Sequence, residues 1–394
     1  MVSSTPPPDV PELVDWDLAA RVGRRVAGGA SLDVRHAWSR QLTDLSAAAD
    51  RAVAEFTGLG GELPPPLAEP LDRGQWVEAN LATLRRVLRP LAEKVAARRA
   101  WRASGPVPTA MRSSTRLLTG AEAGTLLGYV GQRVLGQYDL PVPKPNDSAA
   151  GASGDDTAAG ALGNGSAATA AANGAHPVPG DGEGTVWYVV PNIVATERRY
   201  DFRPANFRLW IALHETAHRR QFRGVPWLPG HIHGLLDEYL GSVQVDEEGL
   251  KRIAQRAQGL AKRILGGDRV DLLDLLVSPE QRGSLNRVQA TMTVLEGHGE
   301  FVMDQVGARL VPAHDRMRQV LHERRQAAGP GARLLQELLG LRQKMDQYSQ
   351  GEAFVRRLYE RGGMAAVNLV FSAPTALPTM EEVRDPDRYL ARAG

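Results

Sequence analysis

The 394-residue sequence contains no cysteine. That absence removes disulfide frameworks, thiolate metal ligands and cysteine nucleophiles from the chemistry open to it. It also lacks any run of roughly 18 uninterrupted apolar residues, the length a membrane-spanning helix requires. From Met1 to Asp17 it carries Pro6-Pro7-Pro8 and acidic side chains where a secretory leader needs a basic start and an apolar stretch. Neither sign of charge is in surplus. The 47 Lys and Arg against 45 Asp and Glu leave a formal +2, so no electrostatic footprint for nucleic acid follows. Lys supplies only five of the basic residues, which with abundant Ala and Gly points to a GC-rich genome more than to a function. No internal repeat is present. These absences predict a soluble cytoplasmic protein that binds neither nucleic acid nor membrane.

What is present begins with length enough for one large domain or two or three small ones, and for a core that a metal need not staple alone. Residues 1–10 read as a disordered tail and 11–144 as a helical region. Within the latter, apolar residues recur at helical spacing over Leu81 to Arg102, and Ala121 to Tyr138 forms a second helical segment. Residues 145–184 are almost entirely Ala, Gly, Ser, Asp, Asn, Thr and Pro, too poor in apolar side chains to offset the entropy of ordering. They predict a flexible insertion through which a protein partner could bind. Residues 185–394 form the remaining region, which can share one fold with 11–144. There Trp187-Tyr188-Val189-Val190 reads as a short strand ended by Pro191-Asn192. Helices follow over Leu235 to Leu265, Leu285 to Val306, Arg316 to Ala327 and Leu334 to Tyr359, with a Pro-punctuated extended strap after Pro374.

The string His214-Glu215-Thr216-Ala217-His218 carries the chemistry. Two imidazoles four residues apart project from one face of a helix, and the carboxylate between them supplies a general base for a divalent-metal site. Phe207, Trp210, Ile211, Ala217 and Phe222 share the face of His214 and His218 at three- and four-residue intervals, which turns both histidines toward the interior. A strand followed within about twenty residues by such a helix is the layout of zincin metallohydrolases, in which an edge strand can hold an extended substrate by main-chain hydrogen bonds. The expected fold is α+β and predominantly helical, with a short sheet beside the His-Glu-x-x-His helix. No glycine-rich phosphate loop adjoins that helix.

A catalytic zinc takes three protein ligands and an open position. Gln221 and Gly224 stand where a metzincin needs Gly and a third His, which excludes that class. Asp237 lacks the flanking pattern of an aspartate-liganded class, and His231 and His233 read as loop residues after Pro229. The segment Leu295-Glu296-Gly297-His298-Gly299-Glu300 is the better donor, because Glu296, Glu300 and Asp304 share a helical face with apolar and small residues. Carboxylates on such a face must be paired, protonated or bound to a cation. Two assignments stay open. In one, Glu296 is the metal ligand and Glu300 orients a histidine N–H from behind; in the other, Glu300 is the ligand and Asp304 supports it. Gly297 and Gly299 would let this helix approach the histidine helix closely.

On Val14-Asp15-Trp16-Asp17, Trp210-Ile211-Ala212-Leu213-His214-Glu215, Leu295-Glu296-Gly297-His298, Val302-Met303-Asp304, Lys344-Met345-Asp346-Gln347-Tyr348, Gly351-Glu352-Ala353-Phe354-Val355 and Leu377-Pro378-Thr379, the chain resembles a bacterial zincin-like family of unknown function. Its members are labelled zinc-dependent metalloproteases or hydrolases, and some are linked by name to biosynthesis of a deazaflavin coenzyme. The resemblance spans most of the chain outside the insertion. Arg219 departs from the general zincin pattern by placing a charge where an uncharged residue is usual. Motif and resemblance together imply one Zn²⁺ on His214, His218 and Glu296, with Glu215 as base in hydrolysis of a peptide or other amide. Tyr348 and His298 are candidate oxyanion partners. A metal-stabilised interaction protein without turnover is the competing expectation, and a hydrolase linked to deazaflavin metabolism a third.

Overall fold

The computed structural model describes residues 14–29, 35–94, 109–139, 184–242, 279–326 and 341–393. The 1–10 tail, the insertion up to residue 183 and residues 243–265 of the segment after the metal helix lie outside them. The elements in chain order are α1 (Trp16–Ala27), α2 (Arg35–Thr57), β1 (Leu67–Leu71), α3 (Arg73–Val87), α4 (Thr109–Gly131), β2 (Gly136–Asp139), β3 (Thr185–Val189), α5 (Val190–Tyr200), α6 (Pro204–Gly224), α7 (Leu228–Ser242), α8 (Pro279–Leu310), α9 (His314–Gln326), α10 (Leu341–Asn368), α11 (Met380–Arg384) and α12 (Pro386–Ala393). The protein is predominantly helical with a small three-stranded sheet, as the sequence leads one to expect.

The sheet runs β1-β3-β2, with β1 parallel and β2 antiparallel to β3. The strand read from Trp187 is therefore the central one. The edges are β1 and Gly136–Asp139, and the latter falls within the Ala121 to Tyr138 segment expected to be helical. The helix stops at Gly131, and Gly136 pairs with Tyr188. Side chains of β3 alternate between two cores, as the two-residue period of a strand requires. Val186 and Tyr188 join the large core with α2, α6, α8 and α10, whereas Trp187 and Val189 join a smaller one with Leu71, Trp76 and Val77.

Other boundaries move for local reasons. The segment expected to be helical from Leu81 instead begins at Arg73, after Asp72 caps it with a reciprocal Asp72–Gln75 box. α3 closes at Val87, because Pro90 has no N–H to donate and its ring would crowd the carbonyl of Arg86, and the chain is helical again over residues 89–94. Val190 opens α5 with a proline in its first turn, a place where the missing N–H costs nothing. His231 and His233 lie on α7, not in a loop. The strap after Pro374 holds α11 and α12, the first capped by a Thr379–Glu382 box. Within α10 the helix breaks at Gly362 and Gly363, the latter at φ +62°, a conformation natural to glycine.

Candidate metal centre

α6 carries both histidines into the large core. Phe207, Ile211, Ala212, Leu213 and Ala217 are buried along it, and its C-terminal half is fixed to α2 by a buried charge cluster. Arg219 Nη1 lies 2.8 Å from Asp50 Oδ1, Arg220 Nε 2.9 Å from the same oxygen, and Arg220 Nη1 donates to Gly61 O at 2.8 Å. The Arg219 charge, unusual for the motif, is thus a structural anchor behind the helix, with Pro64 O as its second acceptor. Guanidinium groups this deep persist only when paired and hydrogen-bonded.

α8 crosses α6 at Gly299. A Cβ there would stand 3.1 Å from His218 Cε1 and 3.6 Å from His214 Cε1, so the absent side chain permits the approach. Gly297 serves a different contact from the expected one. It faces α10, where its Cβ would fall 2.1 Å from the carbonyl carbon of Gly351. Held between these two crossings, α8 presents Glu296 to the histidines. His214 Nε2 and His218 Nε2 are 3.2 Å apart, and Glu296 Oε2 lies 3.5 Å from the second and 3.9 Å from the first. Ligands about 2.0–2.1 Å from one zinc in tetrahedral directions stand roughly 3.3 Å apart. Among the described residues these three form a group whose donor atoms all lie within 4.8 Å of one another.

Glu300 sits one turn further, its Oε2 4.0 Å from His214 Nδ1, on the side of the ring away from the Nε2 atoms. Asp304 turns elsewhere: Oδ1 lies 3.2 Å from His314 Nε2 and Oδ2 2.8 Å from Arg318 Nε, ion-pair contacts whose N–H bonds are not aimed at the oxygens. Burial pushes the Asp304 carboxyl up to about 6, against the pull of Arg318. The geometry favours the Glu296 arrangement over one in which Glu300 binds and Asp304 supports it.

Glu215 is buried and pressed against β2. The main-chain N–H of Tyr138 donates to its carboxylate, and a Cβ on Gly136 would stand 2.8 Å from both Cγ and Oε1 of Glu215. Burial pushes the Glu215 carboxyl up to about 7; the His218 charge lowers it, Glu296 raises it and the Tyr138 N–H lowers it again. For His218 burial opposes the charged form, but Glu296, Glu215 and Gln221 outweigh it and hold the ring at about 9. The pocket thus attracts positive charge to the point where the three donor atoms converge.

Gln221, which in the sequence serves only to exclude a metzincin, places its buried amide against His218 Nδ1 at 2.9 Å, Leu295 O at 2.8 Å and His298 Nδ1 at 2.8 Å. Its position three residues after His218 on the inward face was the available signal. His298 is correspondingly not an oxyanion group: it is fully buried, its ring meets Phe371 edge-on at 5.1 Å, and burial followed by the His218 charge lowers its pKa to about 3. The Tyr348 side chain lies outside the described residues. Asp237 is exposed; His233 Nδ1 contacts Pro229 O at 2.7 Å and His231 packs on Trp227.

The cleft over the site encloses about 420 Å³, with His214, Glu215, His218 and Glu296 on its floor and Phe222, Ile232, Met292 and Leu295 on its walls. The donor set of two imidazoles and one carboxylate suits a borderline divalent ion such as zinc. Among the described residues no helix is long and apolar enough to cross a membrane.

A crystal structure of a proposed hydrolase with a novel fold from Chloroflexus aurantiacus is similar at a TM-score of 0.63 and 27% identity, covering 96% of this chain and 98% of that one. No curated protein matches the chain. The sequence model of a family of zincin-like metallopeptidases matches residues 14–390, nearly the whole length, and the chain belongs to that family.

Proposed function

We propose that the protein is a zinc-dependent hydrolase of peptide or other amide bonds, with one Zn²⁺ held by His214, His218 and Glu296. The observation that carries this reading is the triangle of 3.2, 3.5 and 3.9 Å among the three donor atoms, with a buried carboxylate beside it that is not one of them. When bound, the ion supplies Lewis acidity for the attacking water and the scissile carbonyl. Glu215 takes a proton from that water and delivers it to the leaving nitrogen. Glu300 acts on His214 by its charge, with Oε2 standing 4.0 Å from Nδ1. The Leu135 carbonyl accepts from Val189 N–H at 2.9 Å, so the alternation of an antiparallel pair turns the main-chain groups of Gly136 and Tyr138 away from β3, toward the cleft. Along that edge an extended substrate segment can lie, with an apolar side chain against Phe222, Ile232 and Met292.

An interaction protein that keeps a structural metal needs ligands but no base, and the seat built for Glu215 favours turnover over that alternative. The test is metal content by plasma mass spectrometry on the native chain and on His214→Ala, Glu296→Ala and Glu300→Ala, followed by a peptide-substrate screen. About one zinc per chain, lost with His214→Ala or Glu296→Ala and kept with Glu300→Ala, is the expected result. Glu215→Gln then keeps zinc and loses hydrolysis by at least a hundredfold, on the scale of general-base catalysis. A native chain that takes up no zinc overturns the reading.

A further inference from the structure

Gln221 lies between the two ligand-bearing helices and touches both. Its amide nitrogen is 2.8 Å from the carbonyl oxygen of Leu295, the residue before Glu296. A carbonyl can only accept, so this contact fixes which end of the amide faces α8. The amide oxygen is thereby left 2.9 Å from His218 Nδ1. That oxygen also only accepts, which requires a proton on His218 Nδ1 and makes Nε2, the atom facing Glu296, the nitrogen that gives up its proton to bind the ion. The second amide hydrogen goes to His298 Nδ1 at 2.8 Å, so the three contacts have one consistent assignment and no competing one.

Resting on the zinc reading above, we infer that Gln221 is a positioning residue. It selects the Nδ1–H tautomer of His218 and ties that ligand to the backbone beside Glu296, so that one side chain sets the separation of two ligands from different helices. Such supporting hydrogen bonds fix ring orientation and ligand basicity, and their loss weakens metal binding about 10- to 100-fold.

Two measurements on the full chain test it. In the zinc-loaded native protein labelled with ¹⁵N-histidine, the His218 ring is expected to show a protonated Nδ1 and a metal-bound Nε2; zinc on Nδ1 overturns the inference while leaving the zinc reading intact. Zinc competition against a chromophoric chelator then compares Gln221→Leu, which loses all three hydrogen bonds, with Gln221→Glu, which keeps an acceptor for His218 and loses the donors. The expected outcome is about 10- to 100-fold weaker zinc binding for Gln221→Leu and a smaller loss for Gln221→Glu, which keeps the tautomer but not the tie to Leu295 O, although both melt lower than the native chain. Equal zinc affinity in all three would make Gln221 a packing residue and overturn the inference. If Gln221→Leu does not fold, the native tautomer decides. A native chain without zinc overturns the parent reading and this one with it.

Discussion

At Gly136 the absence of a side chain makes room for Glu215. A methyl group there would meet the carboxylate at 2.8 Å, well inside contact distance, and its nearest escape is rotation of Glu215 away from the Tyr138 N–H. Gly136→Ala is therefore expected to keep zinc, because no ligand is touched, and to lower kcat at least tenfold on a substrate found by the screen. Loss of zinc together with activity would mean that β2 supports the ligands and not the base. Asp139, three residues along the same strand, makes a separate prediction. Burial pushes its carboxyl up to about 6, with Arg86 lowering it and Glu69 raising it. Below about pH 3 the group is neutral whether the chain is folded or not, and above about pH 6 the folded chain carries an ionised, buried carboxylate. Stability from this residue therefore falls as pH rises between those values. Asp139→Asn should be progressively more stable than the native chain from pH 4 to 6, by on the order of 2 kcal/mol at the top of the range, and constant beyond. Urea unfolding at four pH values checks it, and a difference independent of pH would sink it.

Among the elements, α8 is the one on which the site depends most, since it is gripped on one side by the histidine rings at Gly299 and on the other by Gly351 at Gly297. Gly297→Ala would place a methyl 2.1 Å from the Gly351 carbonyl carbon, which rigid backbone on both sides cannot absorb without separating the helices. Overpacking of this kind costs about 1–3 kcal/mol. Because Glu296 is the adjacent residue, zinc affinity should fall with stability. Native-like unfolding and zinc titration curves would show that the crossing is looser than its geometry. These glycines were visible in the sequence and marked a close approach, but not which helix each would meet, because periodicity gives the face of a helix and not its neighbour. The same limit explains the strand. Gly136-Gln137-Tyr138-Asp139 is too short for an alternation to register against the helical run before it, and its pairing partner Thr185–Val189 lies some 50 residues away. That His214 and His218 converge with an acid of the later helix was legible because the signals are local, a fixed spacing on one helix and a carboxylate on an apolar face that must be paired, protonated or cation-bound, whereas the choice of Glu296 over Glu300 needed the helix crossing. Gln221 carried the same kind of local signal, yet its role depends on a carbonyl of a helix distant in sequence.

Across the whole molecule, two cores lie on either side of one sheet, and the proposed ligands stand on helices that pack into the larger. Its apolar side chains from α2, α6, α8 and α10 bury enough surface that folding does not wait for the ion, in contrast to small domains that are unfolded without their metal. Zinc binding should instead add to an already folded state by mass action, by about 2.7 kcal/mol when free zinc is a hundredfold above its dissociation constant. The chain stripped with a chelator is thus expected to keep its helical circular dichroism at 25 °C and to melt a few degrees lower, with zinc restoring the difference. Glu296→Ala should melt at one temperature with or without the ion, since two imidazoles alone hold it weakly, whereas Glu300→Ala should still respond. Collapse of the helical signal on chelation would make the metal a condition of folding and return the interaction-protein reading to the front. An identical response in Glu296→Ala and the native chain would place the ion elsewhere on the molecule.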